Sequence, residues 1–214
     1  MSYCLSFEEI KEKNNHLLIA IKKYDEKQFH VGIYYKTKED DCGIFNFLTH
    51  CQLRKSKASQ AYKYIQINAL DDDDVTHMIT HIKSIFSNKN NHNILYGPCG
   101  GGDIDSTGEY IGDDATTGLT CSLFVLKTFQ SQGIMFINDT LWPIRLDDKK
   151  WQLDMLNEYC REPDLEELYI AQERLIGNSP RFRPEEVGAS VTFNEIPNIY
   201  KVIEPVSLDI KGEL

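Results

Sequence analysis

Three apolar runs separated by short polar turns, His16 to Lys23, Phe29 to Lys36 and Gly43 to Cys51, most restrict how this chain can fold. The second and third are rich in β-branched and aromatic residues. The charged connection Thr37 to Asp41 is far too short for the crossover that parallel strands require. Neighbouring runs must therefore pair antiparallel, as a meander. Tyr62 to Leu70 alternates Ile65, Ile67 and Ala69 with Tyr64, Gln66 and Asn68, which predicts a further strand with one covered face. Ser6 and Glu9 have the spacing of a capping box for a short N-terminal helix, and Tyr24 to Lys27 reads as a turn.

After the strands the period changes. Asp71 to Asp74 precede Val75, Met78, Ile79, Ile82, Ile85 and Phe86, the stripe of a helix over Asp72 to Ser87 with its acids at the positive end. Asn93 to Gly97 suggests a short strand. Gly97 to Gly118 is a long glycine-rich stretch, read as a mobile lid or substrate loop. Thr120 to Gln132 reads as a buried helix with Gly133 as its stop, followed by extended chain at Ile134 to Ile137. Beyond Trp142-Pro143 the chain becomes helical, with helices expected over Asp148 to Cys160 and Asp164 to Ile176. Pro180, Pro184, Pro197 and Pro205 punctuate the rest, and Pro184 could open a short helix. The fold class expected is α+β, with residues 1–140 as the main domain and 141–214 as a C-terminal, mainly helical extension packed on it.

The formal charge of -10 repels phosphate backbones and anionic lipid, so no nucleic-acid partner is expected. No apolar run reaches the ~20 residues needed to span a bilayer. The N-terminus lacks the pattern of a signal peptide. Six cysteines lie scattered with no C-x-x-C pair, the usage of reduced thiols in a cytoplasmic protein.

One of those thiols could be a nucleophile. Gly118-Leu119-Thr120-Cys121-Ser122-Leu123-Phe124-Val125 puts Cys121 at the first turn of a helix, where free N–H groups and the helix dipole are expected to lower its pKa and to supply oxyanion donors. The plain alternative is a buried structural cysteine. A regular hairpin between the second and third runs would set His30 opposite His50, so that one imidazole could orient the other. A one-residue slip would substitute Thr49, and Asn46 lies farther down the same side. Ordinary hydrogen-bonded strand-end histidines are the alternative here.

These residues resemble a family. Cys121-Ser122-Leu123-Phe124-Val125 is similar to the element that opens the nucleophile helix in the NlpC/P60 superfamily of papain-like cysteine hydrolases, and His30-Val31-Gly32-Ile33-Tyr34 resembles the His-x-Gly-Ile-Tyr strand that carries their base. His30 precedes Cys121 by 91 positions, an order similar to the circularly permuted branch that includes the lecithin:retinol acyltransferase-like proteins. The resemblance covers roughly Gln28 to Gly133. Thr120 stands where an Asp often precedes the cysteine, and the acyltransferases' Asn-Cys-Glu-His-Phe motif is absent.

The resemblance implies a papain-like antiparallel sheet with a packed nucleophile helix, and a thiol hydrolase acting on an amide or ester through a thioester acyl-enzyme. Catalysis would rest on Cys121 and His30, with His50, Thr49 or Asn46 as third residue. No cofactor is implied. The substrate could be a small molecule, a peptide or a lipid ester, and acyl transfer and a non-catalytic protein-binding module are the competing readings. A homodimer or protein partner is also open. His77 and His81, i and i+4 on one helix, have chelating geometry but lack the Glu of H-E-x-x-H, so no metal site is assigned. Gly97 to Gly102 lacks the Gly-Lys-[Ser/Thr] of a phosphate loop.

Overall fold

A computed structural model describes residues 2–12, 16–24, 28–113 and 115–214. In these residues the chain is α+β, built on a six-stranded, wholly antiparallel sheet. Its strands are β1 (Cys4–Leu5), β2 (His16–Lys23), β3 (Phe29–Lys36), β4 (Cys42–Phe47), β5 (Leu53–Ser56) and β6 (Lys63–Gln66). They run in the order β1-β6-β2-β3-β4-β5. β2 and β3 have the predicted bounds, and β3 pairs with β2 from Lys23↔Phe29 to His16↔Lys36. The Tyr24 to Lys27 turn lies largely outside the described residues, although the Tyr24 N–H donates to the Gln28 carbonyl at 2.8 Å.

Both faces of this sheet are covered, which explains why its central strands read as continuous apolar runs. Leu17, Ile19, Ile21, Val31, Ile33, Tyr35, Phe45 and Ile65 point into the main core. Leu18, Ala20, Tyr34, Ile44, Tyr62 and Tyr64 pack on the other side with Ile10 of α1 (Phe7–Lys11), a helix opened by the Ser6/Glu9 capping box. The expected strand Tyr62 to Leu70 is therefore covered on two faces, not one, and ladders only over Lys63–Gln66. At Asn68 the chain leaves the sheet to bond the Val191 carbonyl.

Against the main-core face lie α2 (Asp72–Ser87), capped by Asp71, and α3 (Cys121–Gln130), capped by Thr120 and followed by Gly133 at φ +79°. α3 packs directly on β3 through Cys121, Val125 and Phe129. Between α2 and α3 the expected strand at Asn93 to Gly97 is replaced by a 3-10 turn at Lys89–Asn93 and a single bridge, Tyr96↔Leu119. The glycine-rich stretch contains a small hairpin, β7 (Asp103–Ile104) with β8 (Tyr110–Ile111). It is pinned rather than loose. Gln172 accepts the Cys99 N–H at 2.9 Å and donates to the Gly100 and Thr116 carbonyls at 2.9 and 3.2 Å. Gly97 and Gly118 touch backbone to backbone, and a Cβ on Gly118 would lie 2.5 Å from the Gly97 nitrogen.

The last third holds α4 (Leu146–Tyr159), α5 (Glu166–Glu173), α6 (Pro184–Ser190) and α7 (Tyr200–Glu213). α6 and α7 complete the core of the sheet, since Val187, Ala189, Val191, Ile203 and Ile210 sit in the same cluster as β2 and β3. Glu213 accepts the Tyr3 and Cys4 N–H groups, both at 3.0 Å, tying α7 to the sheet edge at β1. α7 was hidden in the sequence by Pro205, which sits inside it. An interior proline costs about 3 kcal/mol, but Ile203, Val206 and Ile210 recur at helical spacing and pack into or against the core. No described helix is long and apolar enough to cross a membrane.

Candidate active site

Cys121 is the first residue of α3. Thr120 takes the extended conformation of an N-cap and its hydroxyl accepts the Leu123 N–H at 3.1 Å, so the helix start is fixed from within the motif. The thiol is buried against β3, where it receives the backbone N–H of Val31, the residue after His30, and both donors of Ser122. Cys121, His30, Thr120 and Ser122 line one cleft of about 290 Å3. Tyr24, Tyr96, Trp151, Tyr159, Arg181 and Phe182 line it too, so α4 and the chain before α6 supply much of its wall.

His30 is 4% exposed. Its Nε2 lies 2.8 Å from Asn46 Oδ1 on β4. The Asn46 side-chain nitrogen donates to the Ile44 carbonyl at 2.9 Å, which fixes the amide so that its oxygen faces the imidazole. Nε2 therefore carries the ring proton and Nδ1 is the basic nitrogen. Gly32 makes this contact possible. Ile33 opposes Phe45, and continuing that register brings Asn46 beside Gly32, where a Cβ would sit 2.6 Å from Asn46 Oδ1 and 2.7 Å from the Phe45 carbonyl oxygen. The bare glycine lets the amide lie across β3 to reach a histidine two residues away.

His50 does not meet His30. The hairpin closes as Lys36↔Cys42 around the charged loop of residues 37–41, a register two residues short of the one that would set the two histidines opposite. β4 ends at Phe47 and the chain turns through Cys51 at φ +55°. His50 instead donates from Nε2 to the Tyr159 carbonyl at 2.7 Å and accepts the Tyr96 N–H on Nδ1 at 2.9 Å. Both ring nitrogens are thus committed to holding α4 and the Tyr96 segment together. Thr49 lines the cleft, but Asn46 alone of the three candidates bonds His30.

Burial also reverses the expected electrostatics of the thiol. It pulls His30 down from its usual 6.5 to about 4, a fall that the Asn46 bond opposes and Lys22 reinforces. It pushes the Cys121 thiol up, against the lowering influence of the Val31 and Ser122 donors and of Arg181. The helix start does stabilise a thiolate, but less than burial disfavours one. At neutral pH the thiol and the imidazole that share this cleft are therefore both uncharged.

The remaining sequence candidates have structural partners. His77 bonds Gln132 at 2.8 Å and His81 bonds Ser131 at 2.7 Å. Among the described residues there is no group of three or more His, Cys, Asp or Glu side chains able to hold a metal ion. None of the described residues from 97 to 118 lines the cleft, so the glycine-rich stretch is not its lid. Arg181 escaped the sequence reading because no local pattern links it to a helix start sixty residues earlier. Comparison with family models, curated proteins and solved structures gives no match for this chain.

Proposed function

We propose that the chain is a cysteine hydrolase of papain-like type, related in design to the permuted NlpC/P60 proteins, that cleaves an amide or ester bond through a thioester on Cys121. The observation that carries this reading is the oriented His30–Asn46 pair opening on the same cleft as a cysteine at a helix start. His30 Nδ1 takes the thiol proton as Sγ attacks the carbonyl carbon, which forms the C–S bond and moves charge onto the carbonyl oxygen. The Cys121 backbone N–H, at the first position of α3, receives that oxyanion. Imidazolium then gives its proton to the leaving amine or alcohol as the tetrahedral intermediate collapses to the thioester. Water, deprotonated by the same nitrogen, releases the acid and restores the thiol. Asn46 holds the ring in the one tautomer that leaves Nδ1 basic, the role played by the third residue of a triad.

The test is covalent trapping with an activated ester, p-nitrophenyl acetate, followed by peptide mass spectrometry. An acetyl group should appear on Cys121 in the wild type with a burst of nitrophenolate. Acetylation spread over the exposed thiols Cys42 and Cys51, with Cys121 unmodified, would remove the proposal.

A further inference from the structure

Among the described residues, the cleft beside Cys121 is lined by one charged side chain, Arg181, and its guanidinium is unusually short of partners. It belongs to a cluster in which Arg145, Arg181 and Arg183 surround the buried Asp148. Arg145 is satisfied by Asp148, by Glu186 and, from its other end, by the Arg181 carbonyl. Arg183 holds Asp148 through two nitrogens, at 2.9 and 3.1 Å, and reaches Asp147 as well. Asp148 has little left for Arg181, whose single bond to it, from Nη1, is 3.4 Å long. A guanidinium carries five N–H donors. Among the described residues that one long contact is its whole hydrogen bonding, although its side chain is only 13% exposed.

What holds Arg181 is stacking. Its guanidinium carbon lies 3.7 Å from the centre of the Trp151 ring, on the wall of the cleft. Stacking fixes the plane of the fork and leaves its edge to face a ligand, which is how a pre-organised guanidinium takes a carboxylate with two parallel bonds. The other guanidinium nitrogens of Arg181 are not closed off among the buried unpartnered atoms, so an acceptor that enters the cleft can reach them. Among the described residues, no aspartate or glutamate lines the cleft. A single guanidinium matches the single charge of a carboxylate better than the near-double charge of a phosphate.

Resting on the hydrolase reading, we infer that Arg181 is the specificity residue of this site, and that the substrate carries a carboxylate close to the bond that Cys121 attacks. This favours a peptide-like amide with a free carboxylate over a neutral lipid ester. Tyr96 and Trp151 supply apolar surface for the rest of such a ligand.

Iodoacetate and iodoacetamide isolate the effect, because they differ only in a carboxylate against an amide and their rate ratio at one thiol cancels that thiol's ionisation. At Cys121 the ratio should exceed that at exposed Cys42 about tenfold. Arg181→Gln should bring it down to the Cys42 value, and Arg181→Lys, which keeps charge without the fork, should fall between. Thermal unfolding of each variant checks that the fold survives. If Cys121 reacts with iodoacetamide in a His30-dependent way but its ratio equals that of Cys42, the assignment of Arg181 is overturned and the hydrolase reading stands. If Cys121 reacts with neither reagent faster than buried Cys99, the nucleophile reading fails and the inference with it.

Discussion

Replacing Gly32 by alanine probes the geometry of the site through one methyl group. The new Cβ would lie 2.6 Å from Asn46 Oδ1, 2.7 Å from the Phe45 carbonyl oxygen and 2.9 Å from Ile44 Cγ2. Carbon–oxygen contacts between strands sit at about 3.3 Å or more, so the two oxygens are too close by about 0.7 and 0.6 Å. The Asn46 amide can swing away, and doing so surrenders the 2.8 Å bond to His30. The Phe45 carbonyl is backbone, so β4 itself must yield. Overpacking of this kind costs about 1–3 kcal/mol, which in a chain of this size lowers Tm by roughly 2–12 °C. Calorimetry reads that fall, and the alkylation rate of Cys121 by iodoacetamide reads the loss of His30 orientation. Because the functional effect passes through Asn46, Gly32→Ala and Asn46→Ala should be strongly non-additive in that rate. A Gly32→Ala protein with unchanged Tm and unchanged Cys121 rate would refute the register and the role assigned to Asn46.

The depressed His30 pKa makes stability depend on pH. Between the unfolded value near 6.5 and the folded value of about 4 the unfolded chain binds the extra proton, so stability falls as pH drops through that window, by about 3 kcal/mol in all. Denaturation midpoints at pH 7 and pH 4 should therefore differ less in His30→Gln than in the wild type, and an equal difference would count against the buried neutral imidazole. His50→Ala leaves the Tyr96 N–H and the Tyr159 carbonyl without their partner. It should cost about 1–3 kcal/mol on chemical denaturation while preserving the alkylation rate of Cys121; a collapse in that rate with the fold intact would return His50 to the site. Gln172→Ala should free the glycine-rich stretch, seen as new protease cleavage between residues 97 and 118, and resistance equal to wild type would show that Gln172 is not its anchor.

Much of the sheet was legible because its signals are local. The β2 and β3 runs end where turn residues begin, and the Ser6/Glu9 capping box and the acidic run at Asp71 to Asp74 mark helix starts that the structure keeps. The candidate residues Cys121 and His30 could be picked out for the same reason, as each sits in a short motif on its own element. The third polar residue was not, because choosing among Asn46, Thr49 and His50 needs the register of one hairpin. A two-residue difference in where a charged loop closes keeps the face and changes the partner. α7 was lost to a rule about proline that tertiary packing overrides at Pro205. Arg181 could not have been found at all, since its importance comes from Trp151 and Asp148 on α4 and from a cleft formed by strands early in the chain.

The most direct test of the account is the alkylation rate of Cys121 by iodoacetamide from pH 4 to pH 9 in wild type, His30→Ala, Asn46→Ala and His50→Ala, with silent Cys99 and Cys160 as the sign of an intact fold. The account predicts a rate that rises as His30 loses its proton near pH 4. It should drop about a hundredfold or more without His30, fall to a lesser degree without Asn46, and hold without His50. A Cys121 that reacts at the same rate with and without His30, in a protein whose other buried thiols stay silent, would contradict it.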